Sequence, residues 1–257
     1  MDNIQLKNTI EGLLDTFLEA GKIAKEISEK GVKITIKSDK SPVTDGDLLV
    51  DKILTKKIKD LTPSIPIVSE ETVNLNIENK YKDFWLIDPI DGTHGFMTGL
   101  PIWATLIALE YKGNIQVCMI SAPALSSRWW AGDKFGAYKY FAGESFRISV
   151  SSIDQIDKAQ LVYTGVTPCE NRWHRFPELL TQVWRERGVG DFWGHCLVAE
   201  GSAEIMLDPI VNVWDVAALH LLVVESGGLM TDDTGMSSYA AGYAISSNKE
   251  LHQTLLS

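Results

Sequence analysis

Residues 85–93 read Trp85-Leu86-Ile87-Asp88-Pro89-Ile90-Asp91-Gly92-Thr93. The apolar run predicts a buried strand, and Asp88 and Asp91 then stand together where that strand ends. Pro89 removes a backbone donor and stiffens the turn. Carboxylates this close repel each other unless a cation lies between them, and Mg²⁺ binds carboxylate, carbonyl and phosphate oxygens. The sequence therefore predicts a Mg²⁺ site here, with the Ile90 carbonyl as a further candidate ligand.

The turn Gly92-Thr93-His94-Gly95 follows directly. Its glycines allow the backbone to approach a ligand closely, and its N–H groups can point into the same space. The turn therefore predicts a phosphate-binding site beside the metal. An ordinary Asp-Gly surface turn is the alternative interpretation of these residues taken alone.

Three further acids stand at the ends of apolar elements. Glu70 follows a strand-like run, Asp45 opens a predicted helix, and Asp215 lies in the first turn of an apolar helix. An exposed acidic loop is the alternative for Glu70, and a helix-capping role is the alternative for Asp215. Together with Asp88 and Asp91 they make five carboxylates that could converge on one site.

Composition limits the function classes. The 257 residues are 45% hydrophobic and 23% charged, which is typical of a globular protein, and the net charge of −10 disfavours a nucleic-acid partner. The first residues do not resemble a secretory signal, and no apolar run is long enough for a membrane span, so we expect a cytoplasmic protein. The cysteines Cys118, Cys169 and Cys196 are an odd number at wide spacing, which predicts reduced thiols.

The N-terminal part, residues 1–143, is predicted to be an α+β subdomain. Apolar residues recur at steps of four and three from Leu6 to Ile27, which predicts an amphipathic helix ending at Gly31. A second helix begins after Thr44, with Asp47 as a capping-box partner. Strands are predicted at residues 65–68, 84–87, 103–111, 115–121 and 128–131.

The C-terminal part, residues 144–257, alternates between strands and helices. Strands are predicted at residues 147–150, 160–163, 203–207 and 243–246, and helices at 176–187, 191–199 and 213–224 and after Asn248. This alternation is typical of a layered α/β subdomain that carries Asp215. The boundary between the two parts is placed in a short loop near Gly143.

Three motifs resemble those of the inositol monophosphatase superfamily of Mg²⁺-dependent phosphatases. They are Val68-Ser69-Glu70-Glu71, the stretch at residues 85–93, and Trp214-Asp215-Val216-Ala217-Ala218 followed by Glu225-Ser226-Gly227-Gly228. Their order and separation also fit, starting from Ser41-Pro42-Val43-Thr44-Asp45. The similarity extends over nearly the whole chain.

The resemblance implies a layered αβαβα sandwich, usually dimeric, and a role for each motif residue. Glu70, Asp88, Asp91, Asp215 and the Ile90 carbonyl would bind metal. Glu70 and the pair of Asp45 and Thr93 would position the attacking water, while Gly92, Thr93 and His94 would bind phosphate. The chain departs from the commonest family pattern at Ser69 and at His94-Gly95.

The substrate is predicted to be a small phosphate monoester. Ser121-Ala122-Pro123-Ala124-Leu125, Arg128-Trp129-Trp130-Ala131 and Gly190-Asp191-Phe192 are similar to the histidinol-phosphate phosphatase branch. Histidinol phosphate carries an amine and an imidazole, so acids should line its pocket, and Asp191, Glu200 and Asp208 are candidates. An inositol or broader sugar phosphatase is the alternative enzyme, and a non-catalytic regulatory protein on the same fold is the alternative of another class.

Overall fold

The computed structural model describes residues 3–37, 41–72 and 82–256, with side chains from residue 7 onward. Its first layer consists of two helices, α1 (Asn3–Lys30) and α2 (Asp45–Leu61). The predicted apolar stripe of α1 is confirmed from Ile10 onward, since Leu13 and Phe17 are fully buried, while the Leu6 side chain lies outside the described part. None of the described helices is long and apolar enough to cross a bilayer.

The capping box predicted at the start of α2 is confirmed. The Thr44 side chain accepts hydrogen bonds from the Gly46 and Asp47 N–H groups, and the Asp47 carboxylate accepts from the Thr44 N–H. A two-stranded antiparallel sheet, β1 (Ile34–Ile36) and β2 (Pro42–Thr44), leads into this cap. The hairpin therefore fixes where α2 begins.

The second layer is a seven-stranded sheet in sequential order. Its strands are β3 (Ile67–Ser69), β4 (Phe84–Asp91), β5 (Ala104–Tyr111), β6 (Asn114–Ala122), β7 (Ser127–Gly132), β8 (Gly136–Phe141) and β9 (Glu144–Ile148). Only β3 and β4 pair in parallel; the other pairs are antiparallel. In β4, Trp85 and Ile87 pack against α1 and α2, whereas Leu86 packs on the opposite face. Burial on both faces explains the continuous apolar run of this strand.

The third layer consists of α6 (Asp191–Ala199) and α7 (Val213–Glu225). Helix α7 contacts strands β4 to β8 on one side and strands of a second sheet on the other. Its side chains are therefore buried around most of its circumference, which accounts for its nearly all-apolar sequence.

The second sheet is the fourth layer and has the strand order β11-β10-β12-β14-β13. Its strands are β10 (Gln160–Tyr163), β11 (Arg185–Gly188), β12 (Ile205–Asp208), β13 (Leu229–Thr231) and β14 (Ala244–Ser247). The fifth layer, on its outer face, consists of α4 (Val166–Arg172), α5 (Phe176–Gln182) and α8 (Lys249–Leu256). The predicted αβαβα sandwich is thereby confirmed.

Several predicted boundaries were wrong. The helix expected at 176–187 stops at Gln182, and residues 185–188 form the edge strand β11, which pairs in parallel with β10. The division placed at Gly143 falls inside the β8–β9 hairpin, because β9 pairs with β8 of the large sheet. Sheet membership places the change between sheets after Ile148.

Candidate active site

The acids Asp88, Asp91 and Asp215 converge at one point between the layers. Each offers a carboxylate oxygen, and these oxygens all lie within 4.8 Å of one another. Asp88 and Asp91 come from the end of β4, and Asp215 comes from the first turn of α7. The structure thus brings together three of the predicted metal ligands.

Hydrogen bonds hold two of these carboxylates in place. Asp91 Oδ2 accepts from the Phe192 N–H at 2.7 Å, and Asp215 Oδ2 accepts from the Asn212 N–H at 2.7 Å. Asp88 is buried, and its Oδ1 has no hydrogen-bond partner among the described residues. A buried carboxylate oxygen without a donor requires compensation. A divalent cation bound by oxygen ligands would supply it, so the residues fit a metal site.

The electrostatics of the cluster support the same assignment. Burial, followed by the charges of Glu70 and Asp91, raises the pKa of Asp88 well above its ordinary value. Burial also raises the pKa of Asp91, with Asp191 as the next contribution, and it raises the pKa of Asp215 to about 7. Neighbouring buried carboxylates repel each other when all of them are ionised, and a bound cation stabilises their charged forms.

Glu70 lies just beyond β3, and its backbone N–H donates to the Ile87 carbonyl at 3.1 Å. This bond places Glu70 beside the end of β4, and its charge contributes to the raised pKa values of Asp88 and Asp215. Its Oε1 pairs with Lys37 Nζ at 3.1 Å, and Lys37 also pairs with Glu71 at 2.9 Å. Glu70 therefore approaches the cluster while sharing a lysine with its neighbour.

The structure does not bring Asp45 to this cluster. Its carboxylate is exposed and accepts a hydrogen bond from the Lys33 N–H at 3.0 Å. Asp47, two positions later, is buried, and its charge contributes to the raised pKa of Asp88. The prediction for Asp45 was wrong because successive helical positions point about 100° apart, and α2 turns position 47 inward.

The turn after β4 leads into a helix start, the feature from which phosphate binding was predicted. Gly92 has φ of +81° and precedes the short helix α3 (Thr93–Thr98), whose first N–H groups have no partner within the helix. A Cβ at Gly92 would lie 2.7 Å from the Ile102 carbonyl oxygen, and one at Gly95 only 2.5 Å from it. Gly95 is thus required by close packing of the turn. The Thr93 hydroxyl donates to the Ile90 carbonyl at 3.1 Å, and the His94 side chain is exposed.

Two further acids lie beside the metal cluster. Asp191 has φ of +58° at the start of α6, and its carboxylate comes within 3.3 Å of a Cβ position on Gly92. Burial raises its pKa to about 6, with the charge of Asp208 as the next cause. Asp208, at the end of β12, accepts a hydrogen bond from the Thr164 hydroxyl at 2.9 Å. The structure brings these two predicted substrate-pocket acids together.

Known proteins match this chain over most of its length. The sequence model of the inositol monophosphatase family matches residues 5–257. The chain belongs to the inositol monophosphatase family.

Relatives within this family include two histidinol-phosphatases. One, from Mycobacterium tuberculosis, is 38% identical over 228 residues, covering 88% of this chain and 87% of the relative. The other, from Streptomyces coelicolor, is 36% identical over 235 residues, covering 88% of this chain and 86% of the relative. The solved structure of a Thermotoga maritima IMPase shares the fold, with a TM-score of 0.84 over 97% of this chain and 95% of that chain at 24% identity. The predicted class, a phosphoric monoester hydrolase, is confirmed.

One predicted pocket residue of this inositol monophosphatase family member is not at the site. Glu200 follows the last turn of α6, at the opposite end from Asp191. Its Oε2 accepts hydrogen bonds from Lys139 Nζ at 2.6 Å and Trp129 Nε1 at 3.2 Å. Both donors belong to the large sheet, so Glu200 ties α6 to that sheet, and its predicted role in substrate binding is corrected.

The sequence interpretation missed two residues, Asp47 and His195, that the structure places beside the acids of the site. Asp47 was recognised only as a capping partner, although the spacing Thr44-x-x-Asp47 also defined its inward position. His195 was not singled out, since a histidine in an apolar helix is usually structural. Its Nε2 lies 3.6 Å from Asp208 Oδ2, a contact that only the packing of α6 on β12 reveals.

Proposed function

We propose that this protein is a Mg²⁺-dependent histidinol-phosphate phosphatase. The observation that carries the proposal is the position of Asp191 and Asp208 beside the cluster of Asp88, Asp91 and Asp215. The cluster suits the phosphate and its metal, and the second pair of acids suits a leaving alcohol with a positive charge. The two histidinol-phosphatase relatives support the same substrate.

Asp88, Asp91, Asp215 and Glu70 would hold the metal, with the Ile90 carbonyl as a further oxygen ligand. Mg²⁺ bound there would neutralise phosphate charge, lower the pKa of a bound water and align it with the leaving oxygen. Oxygen ligands at a partly open site are what Mg²⁺ prefers.

The attacking water would be oriented by protein groups around the turn. The Thr93 hydroxyl donates its hydrogen to the Ile90 carbonyl, so its oxygen keeps lone pairs that can accept a hydrogen bond from water. Asp47 takes the role first assigned to Asp45, because its carboxylate is buried near Glu70 and Asp88. Glu70 would accept the proton released from the water.

The phosphate would lie against the N–H groups from Gly92 to His94. These donors stabilise negative charge on the phosphoryl oxygens as the bond to the leaving alcohol breaks. Asp191 and Asp208 would then face the leaving alcohol and pair with its ammonium or imidazolium group. His94, whose charge contributes to the pKa of Asp191, would border the phosphate.

A substrate panel tests the proposal. Phosphate release with Mg²⁺ is measured from histidinol phosphate, inositol 1-phosphate, fructose 1,6-bisphosphate and 3′-phosphoadenosine 5′-phosphate. We expect kcat/KM to be largest for histidinol phosphate. A larger value for any other compound would contradict the proposed substrate, and activity that survives complete removal of divalent metal would contradict the metal.

We also propose that the protein forms a homodimer and lies in the cytoplasm. A homodimer is tested by size-exclusion chromatography with light scattering. A cytoplasmic location is tested by cell fractionation.

A further inference from the structure

A line of four side chains runs from β14 to the substrate pocket. His195 is fully buried, and its Nδ1 lies 2.7 Å from the Ser246 hydroxyl. Its Nε2 lies 3.6 Å from Oδ2 of Asp208 and has no hydrogen-bond partner among the described residues. The other oxygen of Asp208 accepts from the Thr164 hydroxyl at 2.9 Å. Asp208 is thus approached from both sides by potential donors.

The chemistry of this line fixes the direction of its hydrogen bonds. An ionised carboxylate only accepts, so the Nε2 of His195 must carry the hydrogen that faces Asp208. Nδ1 of a neutral ring is then an acceptor, and the Ser246 hydroxyl donates to it. The opposite tautomer would direct a nitrogen lone pair at the carboxylate. The Nε2–Oδ2 distance of 3.6 Å exceeds a direct hydrogen bond, so the Nε2–H acts on the carboxylate as a facing dipole.

Asp208 needs such a partner because its surroundings are acidic. Its charge raises the pKa values of Asp91, Asp191 and Asp215. With the Thr164 hydroxyl as its only donor, the Asp208 carboxylate would be held at one oxygen and free to turn, so it would no longer be aimed at a cation beside Asp191. The N–H of the buried His195 ring faces the second oxygen and opposes this rotation.

We propose that His195, oriented by Ser246, is a positioning residue that keeps the Asp208 carboxylate directed at a positively charged group of the leaving alcohol. The inference rests on the proposed function, because it concerns how that site distinguishes a cationic leaving group. The polar contacts of His195 among the described residues are with Ser246 and Asp208, and neither is proposed to hold metal or phosphate. Its loss should therefore affect binding of the leaving group and spare binding of the phosphate.

The test compares two ligands that share only the phosphate site. In His195→Leu we expect KM for histidinol phosphate to rise roughly 10-fold, because the polar group that faces the Asp208 carboxylate is lost. The inhibition constant of inorganic phosphate and the Mg²⁺ concentration for half-maximal activity should change less than about twofold. His195→Gln, whose amide can still donate toward Asp208, should restore KM to within about threefold of the native value.

A matched pair of variants controls for a merely structural role. Ser246→Ala should raise KM for histidinol phosphate, whereas Ser247→Ala should not. Ser247 is equally buried, but its hydroxyl lies 2.7 Å from His252 Nδ1 instead. His252→Leu serves as the corresponding control for a buried histidine, and thermal unfolding verifies that each variant folds.

The possible outcomes separate the two proposals. An unchanged KM in His195→Leu, a parallel rise in the phosphate inhibition constant, or no recovery in His195→Gln would each overturn the positioning role. A native protein that prefers inositol 1-phosphate would contradict the proposed substrate alone. A native protein with no turnover of histidinol phosphate would overturn both.

Discussion

The backbone N–H of Phe192 donates a 2.7 Å hydrogen bond to Oδ2 of Asp91, joining the first turn of α6 to the end of β4. One oxygen of this carboxylate is therefore engaged by the protein, and the other is left for a metal. Asp215 is held in the same way by the Asn212 N–H. The acids come from two different layers and each is oriented by a backbone N–H group, so the site is preorganised.

We expect the variants Asp91→Asn and Asp215→Asn to fold normally but to lose activity. The side-chain oxygen of asparagine can still accept from Phe192 or Asn212, while its NH₂ replaces the ligand oxygen. We expect turnover to fall by more than about 100-fold, because loss of outer partners of a metal site alone costs roughly 10- to 100-fold. Steady-state kinetics over a Mg²⁺ series measure the effect. The control is Asp232→Asn, which lies in an exposed turn. Near-normal rates in both site variants would contradict the metal assignment.

Asp45 and Asp47 offer a matched test two positions apart. Asp47→Asn should lower kcat by at least about 10-fold, since it removes a buried charge beside Glu70 and Asp88. Asp45→Asn changes an exposed side chain and should leave kcat within about twofold. The expectation fails if the two substitutions have equal effects or if Asp45→Asn has the larger one.

Stability of the metal-free protein should decrease as the pH rises. Burial raises the pKa of Asp215 from 3.8 to about 7 and that of Glu71 from 4.5 to about 7, and it also raises those of Asp88 and Asp91. Between the ordinary and the raised values the folded protein binds more protons than the unfolded chain, so the free energy of unfolding falls with pH. Burial lowers the pKa of His220 to about 4 and also lowers that of His252, and these two histidines oppose the trend.

Urea unfolding at pH 5 and pH 7.5 measures the effect. With a chelator present, the midpoint should be lower at pH 7.5. Saturating Mg²⁺ should raise the midpoint most at pH 7.5, because the ligands must lose protons to bind metal. If the urea midpoint of the metal-free protein rises from pH 5 to pH 7.5, the carboxylate cluster does not dominate the pH dependence of stability.

Gly95→Ala should damage the phosphate turn. The added Cβ would lie 2.5 Å from the Ile102 carbonyl oxygen, and backbone atoms cannot move aside as a flexible side chain can. We expect a loss of stability of about 1–3 kcal/mol, together with a rise in the inhibition constant of inorganic phosphate. Gly188→Ala is the control, because its Cβ would meet its nearest neighbour at 3.6 Å, an ordinary contact. Equal effects of the two substitutions on phosphate binding would rule out this role for Gly95.

Glu200→Gln should affect stability and not substrate binding. The carboxylate is largely buried and pairs with Lys139 at 2.6 Å, so its neutralisation leaves a buried ammonium without its counterion. We expect a lower thermal midpoint and a KM for histidinol phosphate within about twofold of the native value. Asp208→Asn is the comparison variant, in which we expect a raised KM for histidinol phosphate. A raised KM in Glu200→Gln would instead show that Glu200 contributes to substrate binding.

The sequence was sufficient to predict the layers because their residues follow simple burial patterns. The continuous apolar run of β4 and the all-apolar α7 indicated burial on both sides, and both lie between layers. Strand β11 could not be predicted in this way. Its residues, Arg185 to Gly188, are polar and mostly exposed, and they are extended only because they pair with β10.

The candidate site was predictable where an acid ends an apolar element. This pattern identified Asp88, Asp91 and Asp215, which the packing of α7 against β4 brings together. It was misleading for Asp45, since a shift of two positions on α2 separates an exposed side chain from a buried one. It was also misleading for Glu200, because the length of α6 carries position 200 away from the metal toward Lys139.

Helix α7 carries Asp215 on its first turn and packs against both sheets, whereas Asp88 and Asp91 belong to one sheet only. A shift of α7 relative to the large sheet therefore changes the distance between the Asp215 carboxylate and those of Asp88 and Asp91. Substitutions that repack α7 would alter the carboxylate cluster even where they lie far from it. Engineering α7 for heat resistance and preserving the site are one design problem and not two.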